Sequence, residues 1–108
     1  MSDPIQLLAM LYHRPGERRA FRAFETKALA LMRDHGGHLV SAFVPQLVDL
    51  VETPQEVHLL EFPSRTALDA WKADPRRQEL APERDRVVVR TLVMESREPV
   101  DYPDTSAG

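Results

Sequence analysis

Histidine and tyrosine chemistry is the first thing to look for in this chain, which has four histidines, two tyrosines and no cysteine. His58 lies in the middle of EVHLLEF, residues 56 to 62, where an imidazole can serve as a general base or bond a ligand near neutral pH. A buried neutral ring satisfied by a neighbour accounts for the same residue. His38 follows Gly36-Gly37 at the entry to a second apolar run, as either a solvated ring or a ligand contact. Tyr12, near the end of the first apolar run, can present its hydroxyl to a pocket or donate it to backbone. Trp71, the sole tryptophan, can stack on a flat substrate or pack in the core. His13 and His35 end their elements and read as structural, a histidine in a helix's last turn being favoured by the dipole. Glu61 and Arg90, charged residues within strand-like runs, can pair with each other or across a dimer.

Other chemistries lack their residues. Without cysteine there are no disulfides, thiolate nucleophiles or cysteine-ligated metals, which fits a reducing compartment, and a cytoplasmic location is expected. His35 and His38 are separated by two glycines rather than a helical turn, and no carboxylate completes a ligand motif, so neither a metal nor another cofactor is expected. There is no nucleophile elbow around Ser64, no phosphate-binding glycine loop and no dinucleotide fingerprint. A net charge of -3 gives no large positive field, despite Arg18, Arg19 and Arg22, so nucleic acid is not an expected partner. No apolar stretch approaches the roughly 18 residues that span a bilayer, and the N-terminal run reads as a strand, so no membrane association is expected.

The elements that position these residues follow from periodicity. In IQLLAMLYH, residues 5 to 13, Ile5, Leu7, Ala9 and Leu11 alternate with Leu8, Met10 and Tyr12, so this strand is apolar on both faces. After Pro15-Gly16, spacings of three and four among Phe21, Phe24, Ala28, Leu31 and His35 predict an amphipathic helix from about Glu17 to His35, closed by Gly36. HLVSAFV predicts a second strand, LVDLVETP a ragged extension or loop, and EVHLLEF a third strand. Pro63 ends that strand, and Ser64 caps a helix carrying Ala67, Leu68 and Trp71 on one side. Asp74-Pro75 starts a short further helical segment through RRQEL. A charged connection from Pro82 to Arg86 leads to the fourth strand, VVVRTLVME.

At 108 residues, 43% hydrophobic and 29% charged, the chain suits one core. Residues 1 to 96 form that domain, and residues 97 to 108 a polar tail, either disordered or ordered against a partner chain. The order β-α-β-β-α-β predicts an α+β, ferredoxin-like fold: a four-stranded antiparallel sheet with both helices on one face. Strands one and four remain apolar on the second face, and a second copy packed sheet against sheet would bury it, so a homodimer is expected.

The stretch from Gly36-Gly37 through EFPS to AWKADPRRQEL resembles the dimeric alpha-beta barrel superfamily, in particular the domain-of-unknown-function 1330 family, with antibiotic-biosynthesis monooxygenases and NIPSNAP-type proteins of related outline. The resemblance spans about residues 5 to 96. It implies a ligand held between sheet and helices, hence a site on the face that His58 shares with Leu60 and Phe62, with Leu60, Trp71 and Phe24 lining the cleft. It also puts a ligand-facing polar residue at His38. Three functions stay open: a homodimer binding a small, largely apolar organic molecule; a cofactor-independent monooxygenase or isomerase using His58 with Tyr12 or His38; or a non-catalytic interaction module whose cleft is filled by side chains. Whether the cleft is open, and whether His58 points into it, separates them.

Overall fold

The computed structural model describes residues 3–47 and 52–103. Its elements run β1 (Ile5–His13), α1 (Arg18–Arg33), β2 (His38–Phe43), β3 (Glu56–Phe62), α2 (Arg65–Ala73), α3 (Pro75–Glu79), α4 (Ala81–Val87) and β4 (Val88–Glu95). The strands pair antiparallel in the order β2-β3-β1-β4. With the helices on one face, this is the ferredoxin-like plan that the element order predicts.

Alternation in β1 does the sorting. Leu7, Ala9 and Leu11 are buried beneath the helices, and α1 turns Phe21, Phe24, Leu31 and Met32 down onto them. One part of the core joins Leu7, Met32, Leu60, Phe62 and Leu68; the other joins Ala9, Leu11, Phe21, Phe24 and Val87. Burying one such side chain fully is worth about 1.5–3 kcal/mol relative to leaving it exposed, so Phe21, Phe62 and Leu68, each inaccessible to solvent, anchor the helical layer.

The helix boundaries have local causes. Beyond α1 the chain closes through His35 N–H to Met32 O at 3.0 Å and Gly36 N–H to Arg33 O at 3.0 Å, and Gly36 takes φ +81°. Gly37 is buried because a Cβ there would lie 2.7 Å from both Met32 Cγ and Phe62 Cε1. Ser64 Oγ accepts from Ala67 N–H at 3.1 Å and starts α2, while Asp74 Oδ1 accepts from Arg76 N–H at 2.9 Å and starts α3 at Pro75.

One element differs from the sequence reading. The charged connection expected between Pro82 and Arg86 is part of helix α4. Pro82 and Glu83 suit a first turn and Arg84 and Arg86 a last one, so the charges follow the helix dipole. Its apolar contacts are few, Leu80 just before it and Val87 at its end, and no stripe announces it. The ragged continuation after β2 falls partly on residues 48–51, outside the described residues, as do residues 104–108 of the tail; residues 97–103 form neither helix nor strand.

The second sheet face carries Leu8, Met10, Leu59, Leu92 and Met94, with Phe43 on β2. Leu92 is 41% exposed and Met94 56%, so within one chain this apolar face stays partly in solvent. At one end of it Tyr12 is buried, its hydroxyl donating to Glu52 O at 3.1 Å.

Candidate functional site: a cleft between sheet and helices

Register determines which side chains can meet. Ala9 lies opposite both His58 of β3 and Val93 of β4, so the three form one row on the helical face; Leu11 lies opposite Glu56 and Thr91, and Leu7 opposite Leu60 and Glu95. At about 4.8 Å between neighbouring strands, His58 stands roughly 10 Å in from the β4 edge. Between these rows and the helices lies a cavity of about 430 Å³, within the size range of small-molecule pockets. Its apolar wall is made by Leu7, Ala9, Leu11 and Leu60 of the sheet with Phe24, Ala28 and Leu29 of α1. Trp71, Lys72, Arg77, Leu80 and Arg84 close the side formed by the later helices, and Thr91, Val93 and Glu95 the β4 side.

Two carboxyl groups attend the buried imidazole. His58, 3% exposed, places Nε2 2.7 Å from Glu56 Oε1, and Glu56 Oε2 accepts from Arg22 Nε at 3.1 Å. An ionised Glu56 can only accept, so a neutral His58 carries its proton on Nε2 and keeps Nδ1 as its basic nitrogen. Glu25, on the cavity wall from α1, is close enough to both for their charges to act on it. Burial pushes the Glu25 carboxyl from its ordinary 4.5 up to about 6; a charged His58 works against this rise and Glu56 reinforces it. A carboxyl that exchanges its proton near neutral pH, beside an oriented imidazole and over an apolar floor, is suited to proton transfer.

The opposite side is basic. Lys72 and Arg65 each bond one oxygen of Glu95, which holds that carboxyl below its usual range, Lys72 contributing most. Among the described residues, the carboxylate that Arg84 pairs with is that of its neighbour Asp85, at 3.3 Å. The Arg77 guanidinium lies 4.2 Å over the Trp71 ring, which also makes a ring contact with Phe62, their centroids 5.2 Å apart. Trp71 Nε1 is buried with no acceptor among the described residues.

Of the residues singled out from sequence, His58, Leu60, Trp71 and Phe24 meet in this cleft. Tyr12 and His38 do not join them. Tyr12 alternates with Leu11 and so takes the other sheet face, where its hydroxyl is engaged by Glu52 and its ring lies under Arg90. His38 pairs in register with Glu61, on that same far face, its Nε2 3.8 Å from the Glu61 carboxylate. Glu61 and Arg90 do not pair with each other, being on strands separated by β1 and at opposite ends; Arg90 bonds Glu52 at 3.3 Å. His13 and His35 are structural: His13 Nδ1–H donates to Arg14 O at 2.9 Å, and His35 Nε2 meets Asp74 Oδ2 at 2.7 Å, tying the end of α1 to the start of α3.

Glu25, Glu56 and Arg77 are not among the residues that the sequence singles out. Two of them leave a trace in it: Glu25 falls within the apolar stripe of α1, between Phe24 and Ala28, and Glu56 precedes His58 by two, which on a strand means the same face. Arg77 leaves none, because nothing local distinguishes it from Arg76, which bonds Asp74 and Asp34 instead. Among the described residues no group of three or more His, Cys, Asp or Glu could hold a metal ion, and no helix is long and apolar enough to cross a membrane.

Comparison with known proteins supplies a family. The model of a family described as a domain of unknown function, DUF1330, matches residues 9–96. No curated protein matches the chain. Among solved structures, a protein of unknown function from Rhodopseudomonas palustris, RPA0582, is 20% identical with a TM-score of 0.78, over 94% of this chain and 86% of that one. SnoaB, a cofactor-independent oxygenase from Streptomyces nogalater, is 13% identical with a TM-score of 0.69, over 95% and 100%. A DABB family protein with a ferredoxin-like fold from Mesorhizobium loti is 14% identical with a TM-score of 0.67, over 91% and 98%. At such identities these likenesses show the fold, the ferredoxin-like plan.

Proposed function

Since the chain belongs to the DUF1330 family, whose description leaves its function open, we propose from its own cleft that it binds a small, largely apolar organic molecule between sheet and helices. The observation that carries this is the cavity of about 430 Å³, mostly apolar, with His58 opening onto it. A module that used its surface alone would fill this space with side chains. The same reading makes the protein a homodimer, because the partly exposed row of Leu92 and Met94 beside Met10 and Leu8 is the sheet face a second copy would cover.

A second, catalytic reading has its own observation: the proton-active carboxyl of Glu25 next to the Glu56-oriented imidazole of His58. Such a pair can remove a proton from a carbon or oxygen acid held over the apolar floor and return it elsewhere, the chemistry of an isomerase, or leave an electron-rich substrate for a cofactor-independent oxygenase. In either case the substrate supplies the reactive carbon. SnoaB, described as an oxygenase of that kind, shares the fold, which is compatible with this reading but does not assign the activity.

Native mass spectrometry over a range of concentrations tests the first reading. A dimer carrying additional mass is expected, with the His58→Ala variant retaining less of it. A stable monomer at micromolar concentration would remove the dimer, and a dimer that neither retains nor takes up any small organic molecule would remove the ligand.

A further inference from the structure

The acidic and basic groups of the cleft are unequally satisfied. On the basic side, Lys72 and Arg65 share Glu95, but no carboxylate of the described residues lies within ion-pair distance of Arg77, whose Nη1 donates to Lys72 O at 3.3 Å. Partial burial and the charge of nearby Arg84 both make the Arg77 cation less favourable than in water. A guanidinium remains charged at any ordinary pH, so a partly desolvated one without a counter-ion lowers its free energy by acquiring an anion. Trp71, over which Arg77 is stacked, has a buried indole N–H that also lacks a protein acceptor among the described residues. A cation without an anion thus lines a cavity whose wall is mostly apolar, with Glu25, His58, Lys72, Arg84, Thr91 and Glu95 as its other polar members.

We propose that the occupant of the cleft is an organic acid, its carboxylate facing Arg77 with Arg84 beside it and its apolar body lying against Trp71 and the sheet. This rests on the cleft being a ligand site, as above, and adds the substrate class. A planar guanidinium suits a carboxylate because it can give two parallel N–H donors. The matching neutral amide has similar shape but no charge and one acceptor oxygen in place of two, so the comparison of acid with amide isolates recognition of a carboxylate.

Titration of the intact protein with hydrocinnamate and octanoate, and with hydrocinnamide and octanamide, tests it at neutral pH and low salt. Calorimetry gives affinities, and the emission of the single tryptophan reports the cleft. The acids are expected to bind at least about tenfold more tightly than their amides. Arg77→Gln should remove most of that preference, with a circular-dichroism spectrum and a urea midpoint close to the parent's showing that the variant is folded. Arg77→Lys should retain part of it, and Arg97→Gln, in the exposed tail, all of it. Equal binding of acid and amide by the unaltered protein, or a preference that survives in Arg77→Gln, would refute the organic-acid assignment and leave the cleft reading standing. Failure of all four compounds to bind at about 10 mM, a concentration at which even weak sites fill, would refute both.

Discussion

Replacing Glu25 by Gln should make this protein more stable, by an amount that depends on pH in a defined way. The folded chain raises the Glu25 carboxyl from 4.5 to about 6, chiefly by burial. Between those values the native state binds more protons than the unfolded state, so stability falls as pH rises through the window. Above about pH 6 the whole cost is present; since a tenfold change in acid strength is worth roughly 1.36 kcal/mol, it amounts to about 2 kcal/mol. Below pH 4.5 both states are protonated and the cost vanishes. Glutamine has the shape of the protonated acid and cannot ionise, so Glu25→Gln should exceed the parent by about 2 kcal/mol above that window and match it below. Urea unfolding of both proteins across the pH range, at one fixed protein concentration so that assembly does not enter, gives the difference directly. A difference of constant size at all pH values, or a variant less stable than its parent at neutral pH, would refute the reasoning. A residue retained at such a cost is the kind that functional sites keep and stability alone would remove.

Two further substitutions probe the frame around the site. Gly37→Ala puts a Cβ 2.7 Å from Met32 and Phe62 inside the core and should lower stability by about 1–3 kcal/mol, as read from the denaturant midpoint; a neutral result would mean that the two side chains can move aside. Leu92→Glu places a charge on the half-exposed second face of the sheet, where it should scarcely alter an isolated chain but should convert a dimer to monomers in light-scattering measurements. An unchanged mass would put any interface elsewhere.

Much of this arrangement follows from local rules. A strand's side chains alternate, so the placement of His58, Leu60 and Phe62 on one face, and of Tyr12 on the face opposite Leu11, is decided within a few residues. Ser64 and Asp74 cap their helices as their side-chain chemistry requires. Helix α4 is less legible, since a short element with two apolar contacts carries little periodicity, and its charges read as well for a solvated loop as for a helix aligned with its dipole.

The sequence by itself determined the order of elements, the apolar set of each strand and the membership of His58 in the helical face, because each depends on backbone geometry over distances of a few residues. Only the tertiary structure decided that the space above His58 is open, that Glu25 of α1 and Glu56 of β3 share its neighbourhood, and that Arg77 has no carboxylate among the described residues while Arg76 beside it has two. Desolvation and ion pairing depend on what packs against a group from elements remote in the chain, and no local pattern records that.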